Sequence, residues 1–90
     1  MTAERTVEIL NKRGLHARAS AKFVRLASAY EAEVLVSKDG QSVDARSIMG
    51  LMMLAAGPGS TIHIAAEGEQ AAEALDALCA LVAARFDEDQ

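Results

Sequence analysis

The chain has 90 residues, a length that fits one domain, and 51% of them are hydrophobic while only 3% are aromatic. A fold of this size buries about 60–65% of the surface of its unfolded chain, so a single core of small aliphatic side chains is expected. Thirteen acidic and nine basic residues give a net charge of -4. This balance disfavours general nucleic-acid binding, because such binding depends on a basic surface and on stacking aromatics.

The sequence carries no signal for secretion, membrane insertion or metal binding. Its first nine residues lack a basic start followed by an apolar run, and the longest apolar run, residues 48–57, is shorter than the roughly 18 residues of a membrane span. The single cysteine, Cys79, cannot close an intramolecular disulfide, and no Cys/His cluster has zinc spacing. We expect a soluble, cytoplasmic, monomeric protein with no metal and no cofactor, folded as one domain over residues 1–90.

The first half of the chain is predicted to form three strands and one helix. Residues 6–10 alternate apolar and polar side chains, which is typical of a half-buried strand. Apolar residues recur at helical spacing over residues 17–30 and predict a helix. Residues 32–37 and 41–45 indicate two strands joined by a tight Lys-Asp-Gly turn, which predicts a hairpin.

The second half is predicted to contain two helices and a fourth strand. A short helix is expected from about Ile48, with Ser47 at its N-cap. Residues 61–66 alternate as a strand does, and a last helix is expected over about residues 70–86. Residues 87–90 are expected to fray.

The element order β-α-β-β-α-β-α predicts the fold class. Strands and helices in this order favour an α+β open-faced sandwich, in which a four-stranded antiparallel sheet carries helices on one face and solvent on the other.

Positive charge is concentrated around His16. Residues 11–29 contain no acid but five of the nine basic residues, namely Lys12, Arg13, Arg18, Lys22 and Arg25. Of these, Arg18, Lys22 and Arg25 form a stripe along the first predicted helix. The asymmetry in an acidic chain points to an acidic partner or a phosphate.

His16 precedes the first turn of that helix. A helix N-terminus exposes unpaired backbone N–H groups, here those of Ala17, Arg18 and Ala19, beside the positive end of the helix dipole, which makes an anion site. The same field disfavours the imidazolium form, so a ring nitrogen would keep its lone pair as a nucleophile. The plainer alternative is that His16 only caps the helix and that the charges only solvate its face.

The residues around His16 resemble the motif of the HPr family of histidine-containing phosphocarrier proteins. In "GLHARAS", residues 14–20, the first five match the family pattern of glycine, a large aliphatic, histidine, alanine and arginine. The family usually continues with proline and alanine, whereas this chain has Ala19 and Ser20. "SIMGLMML", residues 47–54, is similar to a second family segment, and the resemblance runs essentially the whole length of the chain.

The resemblance implies a function for His16. In this family the histidine accepts a phosphoryl group on its δ nitrogen from the phosphoenolpyruvate-dependent enzyme I and passes it to an EIIA-type protein, while the arginine at the position of Arg18 steadies the phosphate. The chain would then be a carrier and not a turnover enzyme. "TVEILNKRGLHAR", "AEVLV" and "FDED" look most like the nitrogen-related branch of the family, and a sugar-transport carrier remains open.

The resemblance also implies a regulatory site and a docking surface. The serine matching Ser47 is phosphorylated in some bacteria by a regulatory kinase, HPr kinase/phosphorylase, although a serine N-cap has an ample structural explanation. The surface of this chain that is predicted to dock on enzyme I and on the EIIA-type protein comprises Lys22, Arg25, Ile48, Met49 and Met52. For the methionines, the alternative is a core role, which is usual at helical spacing.

Other interpretations belong to different functional classes. The chief alternative is a regulatory module that binds an anion or metabolite at His16 without covalent chemistry, since fold alone does not separate the two. His63, on the polar side of the fourth strand, is expected to be a plain exposed residue. Cys79 falls in the apolar stripe of the last helix and is expected to be a buried small side chain.

Overall fold

The computed structural model describes residues 1–88. Along the chain these form the strands and helices β1 (Thr2–Glu8), α1 (Ala17–Ala27), β2 (Glu33–Lys38), β3 (Gln41–Asp44), α2 (Ile48–Met53), β4 (Thr61–Glu67) and α3 (Ala71–Ala83), followed by a 3₁₀ turn (Arg85–Asp87). The strand order in the sheet is β1-β4-β2-β3, and all neighbours are antiparallel. The predicted open-faced α+β sandwich is confirmed.

The core lies between the sheet and the three helices. Alternate residues of β4 point inward, so Ile62, Ile64 and Ala66 are buried. From the helices, Phe23 and Leu78 reach the same layer and are fully buried. The small aliphatic side chains predicted for the core let the helices approach the sheet closely.

Three predicted boundaries were wrong. β1 begins at Thr2 and ends at Glu8, instead of spanning 6–10, because its ladder with β4 runs from Thr2 opposite Glu67 to Glu8 opposite Thr61. Ile9 leaves the ladder and donates its N–H to the carbonyl of Ser60. α1 ends at Ala27 and not at Tyr30, because the next N–H groups turn back to carbonyls three residues earlier, as in Ala29 to Leu26.

The last helix is also shorter than predicted. α3 ends at Ala83 instead of continuing to Phe86, and the backbone then takes left-handed φ angles at Arg85, Phe86 and Asp87 (57°, 55° and 61°). Phe86 is fully buried by this turn. None of the helices over residues 1–88 is both long and apolar enough to span a membrane.

Candidate functional site

A glycine sets the loop that carries His16 into α1. Gly14 has φ +60°, a left-handed conformation, and a Cβ at this position would lie 2.1 Å from the carbonyl oxygen of Ala56. The N–H of Leu15 donates to the same oxygen at 2.9 Å. The loop is therefore pinned against the segment that follows α2, and this contact fixes where α1 begins.

His16 is the N-cap residue of α1. Its backbone is extended, with φ -73° and ψ -179°, and its side chain makes no capping hydrogen bond. Ser20 is the first residue whose N–H reaches a carbonyl of the helix, that of His16, at 2.9 Å. The N–H groups of residues 17–19 thus have no intrahelical acceptor, as predicted, and they lie at the positive end of the helix dipole.

The two departures from the family motif fit the structure. Ala19 and Ser20 are both fully buried. The hydroxyl of Ser20 donates to the carbonyl of Leu15 at 3.1 Å, so the buried oxygen is satisfied and helps hold the loop.

Four cations line an open cleft around His16. They are Lys12, Arg13, Arg18 and Lys22, and Asp87 and Glu88 also line the cleft. Arg25 lies outside this cleft, in a neighbouring groove beside Leu26 and Leu81. The ammonium of Lys22 donates to the carbonyl of Phe86 at 2.6 Å, so this lysine holds the backbone of the turn as well as lining the cleft.

Glu88 was missed by sequence reasoning. Its carboxylate accepts hydrogen bonds from Nε2 of His16 at 2.5 Å and from Nδ2 of Asn11 at 3.0 Å. The expectation that residues 87–90 fray was wrong for Asp87 and Glu88, whose N–H groups donate to Ala84 and Arg85. Residues 89 and 90 lie outside the described residues. No local pattern signals this contact, since 72 positions separate the two partners.

The Glu88 contact defines the state of the His16 ring. An ionised carboxylate only accepts hydrogen bonds, so Nε2 carries the hydrogen. In the neutral ring, Nδ1 then carries the lone pair. Burial acts to raise the pKa of Glu88, but the hydrogen bonds from His16 and Asn11 and the nearby charges outweigh it, so this pKa lies below its ordinary value.

α2 presents its own N-cap and an exposed apolar face. Ser47 is the predicted N-cap, and its Oγ accepts from the N–H of Gly50 at 3.0 Å. Of the apolar residues of α2, Leu51 alone is buried, whereas the exposed ones are Ile48, Met49, Met52 and Met53. Met52 borders a shallow depression together with Arg13 and His16. The exposed face of α2 is therefore continuous with the basic cleft.

The remaining candidates have the plain roles expected of them. His63 points outward from β4 and contacts Thr6 and Glu4, each at 3.0 Å. Cys79 is buried, and that burial raises the pKa of its thiol. Over residues 1–88, the structure holds no group of three or more His, Cys, Asp or Glu that could bind a metal ion.

The fold and the cleft define a class of protein. The cleft is open, is lined by charge and has a histidine at a helix N-terminus, which suits an anionic group presented to another macromolecule. The family model described as "PTS HPr component phosphorylation site" matches residues 3–84. The chain belongs to the HPr family and is a phosphocarrier protein of the phosphotransferase system, not a turnover enzyme.

Its relatives carry two names. The phosphocarrier protein HPr of Cupriavidus necator is 53% identical over 87 residues, which cover 97% of this chain and 98% of that protein. The phosphocarrier protein NPr of Klebsiella oxytoca is 48% identical over 90 residues, covering 99% of this chain and 100% of that protein. The crystal structure of HPr-C-His from Thermoanaerobacter tengcongensis superposes with a TM-score of 0.93 at 43% identity, covering 98% and 99% of the two chains.

These comparisons decide between the two main interpretations. They support the phosphocarrier and give no support to the non-covalent binding module. Membership of the family implies interaction with enzyme I and with EIIA-type proteins.

Proposed function

We propose that Nδ1 of His16 accepts a phosphoryl group from charged enzyme I and passes it to an EIIA-type protein. The observation that carries this proposal is the contact between Nε2 of His16 and the carboxylate of Glu88 at the N-terminus of α1. Nε2 donates a hydrogen bond to Glu88, so Nδ1 is the nitrogen that keeps its lone pair. It lies beside backbone N–H groups that have no intrahelical acceptor.

The surroundings suit a group that must be held and then released. A phosphoryl group carries about -1.5 to -2 charges near neutral pH. The N–H groups of the exposed residues Ala17 and Arg18 and the helix dipole attract it by about 0.3–1 kcal/mol per interaction, which is small enough for reversible transfer, whereas the predicted third donor, Ala19, is fully buried. Arg18 lines the cleft with an exposed guanidinium, whose planar donors match phosphate oxygens.

The same face supplies the docking surface that we propose. The cations of the cleft would steer acidic partner faces, which mainly affects the association rate. Ile48, Met49 and Met52 on α2 offer exposed apolar area next to those charges. Arg25 extends the basic surface along α1, although it lies outside the cleft itself. One surface of this kind can serve both enzyme I and the EIIA-type protein in turn.

We also propose Ser47 as a regulatory phosphorylation site for a kinase such as HPr kinase/phosphorylase. A phosphate at the N-cap could still accept from the N–H of Gly50, so the fold should persist. Its negative charge would lie next to the exposed face of α2 and repel acidic partners.

Four wider predictions accompany this proposal. They are a single domain over residues 1–90, a monomeric state, a cytoplasmic location, and a role in the nitrogen-related branch. Relatives named HPr and NPr match at similar identity, so the branch rests on sequence resemblance alone.

The acceptor atom is tested by NMR on the phosphorylated chain. The protein is labelled with ¹⁵N in its histidines, charged with enzyme I and phosphoenolpyruvate, and examined for ¹⁵N–³¹P coupling. We expect coupling at Nδ1 of His16 and loss of the signal after addition of an EIIA-type protein. Coupling at Nε2, or at His63, would contradict the proposal.

A further inference from the structure

The side-chain carboxylate of Glu88 contacts the proposed phosphoryl acceptor, His16. We propose that Glu88 is a positioning residue for phosphoryl transfer at His16, holding the ring tautomer that leaves Nδ1 unprotonated and neutralising the charge that the ring gains when Nδ1 bonds to phosphorus. This inference rests on the proposed function of His16. Glu88 acts through Nε2, on the far side of the ring from the reacting atom.

The backbone that delivers Glu88 is held in an unfavourable conformation. Three consecutive residues other than glycine, Arg85, Phe86 and Asp87, have left-handed φ angles, which are unfavourable for any residue with a Cβ. Two contacts offset this cost: the Phe86 ring is fully buried, and Lys22 donates to the carbonyl of Phe86. Such a turn persists only where the surrounding structure over-determines it, and its result is to aim Glu88 back at the start of α1.

Asn11 fixes the carboxylate in place. This side chain is fully buried, and its Nδ2 donates to the carbonyl of Gly14 at 2.9 Å and to Oε1 of Glu88 at 3.0 Å. Both partners are acceptors, so the orientation of the amide is determined by its surroundings. Oε1 is thereby engaged, and Oε2 is the oxygen that meets His16. The three side chains form a chain of hydrogen bonds, Asn11 to Glu88 to His16.

Hydrogen bonds, with a smaller contribution from nearby charge, keep Glu88 ionised. Lys12, Arg13, Arg18 and Lys22 line the cleft around His16, and within residues 1–88 Asp87 is the one other acid that lines it. The pKa of Glu88 is lowered despite burial, chiefly by its hydrogen bonds to His16 and Asn11. The side chains of His16 and Glu88 are 23% and 18% exposed, so water screens their interaction only in part.

The transfer step shows what this carboxylate would do. As the bond between phosphorus and the donor atom of enzyme I breaks, the bond between Nδ1 and phosphorus forms, and the hydrogen stays on Nε2. The ring then carries a formal positive charge, which the carboxylate of Glu88 neutralises. When the phosphoryl group leaves for the EIIA-type protein, the Nδ1–phosphorus bond breaks and its electron pair returns to Nδ1. An aspartate beside a catalytic histidine acts in the same way in hydrolytic triads.

The first test reads the tautomer in the unphosphorylated protein. ¹⁵N shifts of the His16 ring are compared at alkaline pH in the parent, Glu88→Gln, Glu88→Asp and Asp87→Asn. Asn11 and His16 contact different oxygens of Glu88, and glutamine replaces one of these oxygens with an NH₂ group, which cannot accept a hydrogen bond. We expect a predominant Nε2–H tautomer in the parent and a mixture in Glu88→Gln. Asp87→Asn removes one negative charge from the same cleft without removing a hydrogen bond to the His16 ring. Its tautomer ratio should therefore match that of the parent.

The second test measures the rate of phosphoryl transfer from enzyme I with the same variants. We expect Glu88→Gln to be slower by about tenfold, Asp87→Asn to stay within about twofold, and Glu88→Asp to recover part of the loss. If Glu88→Gln still carries the phosphoryl group on His16 but keeps the parent's tautomer or the parent's rate, this inference alone is overturned. Equal slowing of transfer in Glu88→Gln and Asp87→Asn would overturn it as well. A phosphoryl group on another residue would overturn the proposed function as well.

Discussion

Gly14 lies against the carbonyl oxygen of Ala56 so closely that no Cβ fits between them. A Cβ at position 14 would stand 2.1 Å from that oxygen, and the φ of +60° adds strain for any other residue. The start of α1, and with it His16, depends on this approach. The glycine of the family motif is therefore required by the backbone here.

We expect Gly14→Ala to lower the free energy of unfolding by roughly 2–4 kcal/mol, since it combines a backbone clash with a strained φ. Gly40→Ala is the matched control, because Gly40 has φ +83° with nothing within 4 Å of the added Cβ. It should lose only about 1–2 kcal/mol. Urea denaturation measures the free energy of unfolding of both variants. Equal losses would show that the close approach to Ala56 adds nothing to the cost of a Cβ at position 14.

The missing proline of the motif can be restored. Ala19 is the third residue of α1, where its N–H has no intrahelical acceptor, so Ala19→Pro should raise the free energy of unfolding by about 0.4–1 kcal/mol through the unfolded state. Ala21→Pro, two residues further into the helix, removes a helical hydrogen bond and should cost about 3 kcal/mol. A lower melting temperature for Ala19→Pro would mean that this backbone is incompatible with proline.

Two substitutions of Ser47 distinguish its structural role from the proposed regulatory one. Ser47→Asp keeps an acceptor for the N–H of Gly50, so stability should hold while transfer from enzyme I slows, because the new charge repels acidic partners. Ser47→Ala should do the opposite: it loses about 1 kcal/mol of stability and transfers at the parent rate. Stopped-flow kinetics of transfer and thermal denaturation together distinguish the two variants. A parent-like transfer rate for Ser47→Asp would contradict the regulatory proposal.

The docking surface is tested with two exposed apolar residues, one on α2 and one on the sheet. Met49 on α2 is 68% exposed and Leu35 on the open face of the sheet is 51% exposed, so truncating either should change stability by no more than about 0.5 kcal/mol. Met49→Ala should slow transfer from enzyme I by about threefold or more, whereas Leu35→Ala should not. If both variants transfer at the parent rate, α2 is not the surface that enzyme I contacts.

Local patterns predicted most of the fold. Alternation identified β4, the Asp39-Gly40 turn identified the hairpin, and Ser47 marked the start of α2. These features depend on neighbours in sequence, so the sequence contains their physical cause. The placement of His16 at the start of α1 follows in the same way from the residues around it.

The end of α3 and the contact to Glu88 could not be predicted in this way. Helical spacing continues to Phe86, but burying that ring requires a left-handed turn, and tertiary packing decides this. The partner of the His16 ring comes from the other end of the chain, so no spacing rule joins them. Charge alone indicated an anion site around His16, but it did not indicate an acid within it.

The most direct test of the central claim is the intact mass of the chain after incubation with phosphoenolpyruvate and enzyme I from the same host. We expect one acid-labile phosphoryl group on the parent and none on His16→Ala, with His63→Ala behaving as the parent does. A phosphoryl group retained by His16→Ala, or no adduct on a parent chain tested with an enzyme I proven active on another carrier, would contradict the account.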